Sequence, residues 1–205
     1  MRLRRLAASF LASAVVLAGA VIEGPADAAA RAESGRAAQP DEQTLAERFA
    51  PVVALVHQDV ECGPGEPYQP SDVEVVLGDQ SVALRGPWAG DEVIKAGPTA
   101  EDLSEGLYGY YLDFPGNPLE ADCDYEQWAG TAVTDSPPTM YAHVATEPGR
   151  DDRLAVQYWF FYPYNDYTNK HEGDWEMIQL VFAAADAAQA LDQTPIEVGY
   201  SQHEG

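Results

Sequence analysis

The stretch "NKHEGDWEMIQLVF", residues 169–182, places His171, Asp174 and Glu176 within six positions, at the entry to an apolar run. Asp166 precedes them in "YNDYTNK". Carboxylates two apart on a strand share a face, about 7 Å from each other along the backbone, and such a pair can converge on one hard cation at about 2.3–2.6 Å. Gly173 permits a tight turn that returns His171 toward the same point, and Asp166 reaches it from the preceding loop. Oxygen-rich ligation with one imidazole suits calcium or magnesium, and also manganese, better than zinc. A plainer reading stands beside this one. Trp175, Met177 and Val181 form an equally apolar opposite row, which would leave Asp174 and Glu176 to water, Asp166 and Asn165 to shape a turn, and Lys170 to pair with a neighbouring carboxylate.

The elements that must position these residues read as short strands. From residue 62 to 149, Gly and Pro punctuate the text every few residues ("CGPGEPYQP", "RGPWAG", "AGPT", "DFPGNP", "DSPP", "EPG") and separate β-type runs such as "VEVVL", "SVAL" and "TMYAHV". "RLAVQYWFFYPY", "WEMIQLVF" and "IEVGYSQH" are stronger strand signals, the first apolar on both alternating faces as a central strand is. "AAADAAQALDQTP" predicts a short helix ended by Pro195, and Thr44 with Glu47 suggests a capping box for a turn or two of helix over Leu45–Ala50. The pattern predicts a mainly β fold, an antiparallel β-sandwich with short helical excursions. The sequence stops at "YSQHEG", directly after a strand, which predicts a sandwich incomplete at its C-terminus.

Residues 1–28 have Arg2, Arg4 and Arg5 ahead of an apolar stretch and a small-residue pattern at 26–28, the marks of a cleaved secretory signal peptide, with a membrane anchor over 6–22 as the competing reading. Residues 29–44 read as a flexible tail and 45–205 as one domain. No later stretch is apolar enough to span a bilayer. The net charge of −23 becomes −24 once Arg2, Arg4, Arg5, Glu23 and Asp27 are removed, which excludes nucleic acid as a partner and repels anionic head groups unless a cation intervenes. An extracellular setting predicts a disulfide between Cys62 and Cys123, closing a loop of about 60 residues and adding on the order of 4 kcal/mol. His57 and His143 lie in strand-like runs and read as structural residues.

The run "LAVQYWFFYPYNDYTNKHEGDWEMIQLVF" followed by "EVGYSQHEG" resembles the vacuolar protein sorting-associated protein 62 family, densely over residues 154–205 and more loosely back to about residue 45. More distantly it is similar to the necrosis- and ethylene-inducing-like toxins, whose motif reads Gly-His-Arg-His-Asp-Trp-Glu and is followed by Tyr-Ser-x-His. That resemblance implies a β-sandwich holding a divalent cation, with Asp166, His171, Asp174 and Glu176 as ligands. His203 falls on the later histidine of the pattern, as a further ligand, a hydrogen-bond partner or an ordinary strand-end residue. The chain departs where it has Glu172 and Gly173 in place of the arginine and second histidine. The ligand positions are kept, and the toxins' membrane-damaging activity is not implied.

Three functions follow as expectations. The first is a secreted, cation-dependent binding module for a glycan or lipid head group, with the tyrosines of "YPYNDYTN" available for stacking. The second is a metal-dependent hydrolase with His171 or His203 as base, although no Gly-x-Ser-x-Gly elbow or His-Glu-x-x-His helix is present. The third is a sorting factor, or an inactive truncated remnant. The sequence favours binding over catalysis.

Overall fold

A computed structural model of the chain describes residues 40–55, 68–87, 92–104, 108–134, 136–166 and 169–201. Helix α1 spans Pro40–Arg48, strand β1 Ala83–Arg85, β2 Val93–Ala96, helix α2 Ala100–Leu103, β3 Tyr111–Asp113 and helix α3 Cys123–Thr134. Strands β4 (Tyr141–Thr146), β5 (Leu154–Asn165) and β6 (His171–Phe182), helix α4 (Ala187–Ala190) and strand β7 (Glu197–Ser201) follow. Two antiparallel sheets result, one ordered β2-β1-β3 and one β4-β5-β6-β7, so the fold is mainly β and sandwich-like.

β5 is central because its sequence is apolar on both faces. Its even-numbered residues Leu154, Val156, Tyr158 and Phe160 meet Phe182 of β6 in a core closed by Leu45 and Ala46 of α1 and by Ala187 and Ala190 of α4. Phe49 lies edge-on to Phe182 at 4.9 Å, and the Tyr158 hydroxyl donates to the Ala46 carbonyl at 2.9 Å. Fully burying each large side chain here contributes about 1.5–3 kcal/mol. Among the described residues, cover on the odd-numbered face is concentrated at one end. There Tyr141, Trp159 and Phe161 pack on Val73, Val76, Leu77, Val82 and Phe114, and the Ser71 N–H donates to the Phe161 carbonyl at 2.8 Å. A third cluster joins Tyr164 at the end of β5 to Tyr68 and to Tyr125 and Ala129 of α3.

Several local expectations need correction. "VEVVL" is not a strand: Asp72 accepts from the Glu74 N–H at 3.0 Å and starts a 3-10 turn over Val73–Val75. α1 begins at Pro40, inside the expected tail, with proline in the first turn where its missing N–H costs nothing. Thr44 then lies within the helix and its hydroxyl donates to the Pro40 carbonyl at 2.7 Å, so no capping box forms with Glu47. α3 has no counterpart among the expected elements; Asp122 caps it, accepting from the Tyr125 N–H at 3.0 Å. No helix among the described residues is long and apolar enough to cross a membrane.

Candidate functional site

β5 and β6 pair from Leu154↔Phe182 to Asn165↔His171, and this register fixes where the chemistry-bearing residues go. Asp174 lies opposite Tyr162 and Glu176 opposite Phe160. Both therefore continue the row of Ile178, Leu180 and Phe182 on the α1-covered face, and Trp175 takes the other face, 39% exposed against Tyr141, Trp159 and Phe161. Gly173 holds φ +68 opposite Pro163, a backbone that favours glycine. No turn forms there, because β6 runs through Gly173 in unbroken register, and His171 Nε2 lies 3.5 Å from Asp174 Oδ1.

The expected cation ligands divide into local pairs. The Asp166 side chain is 1% exposed and ion-paired with Lys170, and the Tyr164 hydroxyl approaches its Oδ1 at 3.3 Å. His171 Nδ1 meets the Asn169 carbonyl at 2.6 Å, and the Asn165 amide donates to Asp174 Oδ2 at 3.0 Å. Glu176 lies in the wall of a cleft. Among the described residues no three His, Cys, Asp or Glu side chains are grouped to hold a metal ion. As they stand, Asp166, His171, Asp174 and Glu176 are not gathered around one point. Lys170 supplies the positive charge beside Asp166, and Asn165 supplies a donor to Asp174. His203, His57 and Cys62 lie outside the described residues; Cys123, at the start of α3, is disulfide-bonded.

Glu172, which the sequence marks only as a departure from a motif, is the most perturbed carboxyl of the segment. It accepts from the Tyr125 hydroxyl at 2.8 Å. Burial pushes its carboxyl up to about 7, Asp113 adds to the rise, and the Tyr125 hydroxyl and the Phe114 N–H oppose it. Burial and the same contact push the Tyr125 phenol upward. Nothing in the local sequence announces this pair, because its members are 47 positions apart.

The cleft is the other feature that the sequence does not disclose. It has a volume of about 290 Å³ and lies between residues 52–54 and the even-numbered face of the sheet, with Phe160, Tyr162, Glu176, Ile178 and Tyr200 in its walls. Tyr200 is 66% exposed. The tyrosines expected to stack on a ligand from "YPYNDYTN" are placed differently: Tyr164 is buried in the third cluster, Tyr162 is half-buried in the cleft wall, and Tyr167 lies outside the described residues. His143 is exposed on the odd-numbered face of the sheet, its Nδ1 3.3 Å from Gln157 Oε1. No protein-family model, curated protein or solved structure matches the chain.

Proposed function

We propose that this chain is an exported binding module of the vacuolar protein sorting-associated 62 type, and that it takes the sugar portion of a glycan or glycolipid head group in the cleft beside Glu176. The observation that carries the reading is the composition of that cleft. Tyr162 and Tyr200 offer aromatic faces and Glu176 offers carboxylate oxygens at its wall. Aromatic rings provide apolar contact with a polar edge, and a carboxylate accepts strong hydrogen bonds from hydroxyl groups. The net charge of −23 supports an uncharged ligand over nucleic acid or an anionic head group. The local pairing of Asp166, His171 and Asp174 removes the need for a bound cation in this reading.

A glycan array probed with the parent, Glu176→Gln and Tyr200→Ala tests it. The parent should mark a small set of glycans, and each variant should lose most of that signal with an unchanged melting temperature. An array that stays blank for the parent, or a pattern that both variants reproduce, would remove the proposal.

A further inference from the structure

The open part of the odd-numbered sheet face carries a second arrangement, away from the cleft. Register places His143, Gln157, Gln179 and Gly199 in one row across β4, β5, β6 and β7, a span of about 14 Å at the usual strand spacing. His143 Nδ1 lies 3.3 Å from Gln157 Oε1, and Gln157 Nε2 donates to Gln179 Oε1 at 2.8 Å. The two glutamines are half-buried and His143 is exposed, so the polar row is bonded from His143 to Gln179 and reaches solvent at His143. Trp159 lies in the adjacent row and Trp175 in the row beyond it, about 13 Å from Gln179 along β6, the two rings 6.4 Å apart and edge to face.

Gly199 is the informative member. Its φ lies outside the left-handed region, so its backbone does not require glycine, and a Cβ there would meet only the Gln179 Cβ at 4.0 Å, an ordinary contact. A glycine inside a strand weakens it and often marks close approach of a ligand. The row ends at this cleared strip. Charge narrows the occupant further. In a chain of net charge −23, the described side chains of the paired rows on this face include one carboxylate, Glu197, and it is neutralised by Arg153 at 2.6 Å. A cationic partner would find no anion to meet, and the chain's overall charge repels an anionic one. Planar amides supply donors and acceptors together, and indole rings supply flat apolar contact.

We propose that this face is a platform for an extended, uncharged polysaccharide that runs along β6, with the Gln157–Gln179 pair meeting hydroxyl groups at one end, Gly199 leaving room at its side, and Trp175 stacking on a sugar ring at the other. The site is separate from the cleft and does not depend on it. Affinity electrophoresis of the full chain through gels holding a soluble β-glucan, a xylan or a galactomannan tests the proposal. At least one polymer should retard the parent. Gly199→Val, Gln179→Ala and Trp175→Ala should each bind about tenfold more weakly or worse, whereas Glu176→Gln should be retarded like the parent. Gln179→Ala keeps the strand's backbone and its apolar packing, so it keeps the test informative even if Gly199→Val or Trp175→Ala fails to fold. Three results would overturn the platform: no polymer retards the parent, Trp175→Ala and Gln179→Ala run like the parent, or a proline-rich peptide or a second copy of the chain is what the variants lose. Sugar binding lost in Glu176→Gln but kept in the sheet-face variants would remove the platform while leaving the cleft reading in place.

Discussion

Replacing Glu172 by glutamine should stabilise the folded chain at pH 8 and flatten its dependence on pH below neutrality. The groups that face Glu172 are the Tyr125 hydroxyl from α3 and Asp113 from β3, the latter paired with Arg85 of β1 at 2.6 Å. Burial first, and Asp113 after it, lift the carboxyl from 4.5 to about 7. Between these values the native state holds a proton that the unfolded chain has released. Stability therefore falls as pH rises through that window and is level above it. The full displacement corresponds to about 3 kcal/mol, and solvent screening at this partly exposed position reduces the expected effect to about 1–2 kcal/mol. Urea unfolding of the parent and of Glu172→Gln at pH 5 and pH 8 measures it, because all other titrating groups are common to both chains. The variant should exceed the parent at pH 8 by that amount and converge with it at pH 5, a difference of about 3–6 °C in melting temperature for a domain of this size. Parallel curves across the range, or a variant weaker than the parent at pH 8, would refute the reasoning.

Other expected outcomes follow from the pairings around the site. Lys170→Met leaves the buried Asp166 carboxylate without its cation and should destabilise by about 2 kcal/mol in urea, with no recovery on adding calcium. Tyr158→Phe removes the hydroxyl that holds α1 to the sheet and should cost about 1–2 kcal/mol, with α1 amides losing protection from hydrogen exchange. Calcium or magnesium should move the melting temperature of the parent by no more than about 1 °C. A rise of about 5–10 °C, the effect of roughly 2.7 kcal/mol from an ion at 100 times its dissociation constant, would show that Asp166, Asp174 and Glu176 rearrange around a cation.

Strands β5, β6 and β7 are legible in the sequence because aromatic and β-branched runs between turn signals encode them directly. The shared face of Asp174 and Glu176 is equally legible, since strand alternation fixes it. The run Val73–Leu77 misleads because its β-branched residues outweigh one polar cue, the Asp72 side chain that turns the backbone. α3 escapes notice for a related reason: Gly130, Thr131, Val133 and Thr134 weaken the helical signal, and Asp122 alone marks its start. Whether four ligands converge is a different kind of question. Lys170 sits four residues from Asp166 and is recognisable as a partner for a nearby carboxylate, but the choice between that pairing and a metal ion depends on tertiary placement. The cleft, the Tyr125–Glu172 contact and the glutamine row all depend on register between distant segments, which no local pattern carries.

The central claim, a sugar-binding cleft beside Glu176, is tested most directly by titrating the strongest array ligand into isotope-labelled protein and mapping amide shifts by NMR. The shifts should concentrate at residues 52–54, 176–178 and 200–201, and should vanish in Glu176→Gln. Saturable shifts that leave those residues still and gather elsewhere, or no shifts at all with a glycan the array had marked, would contradict it.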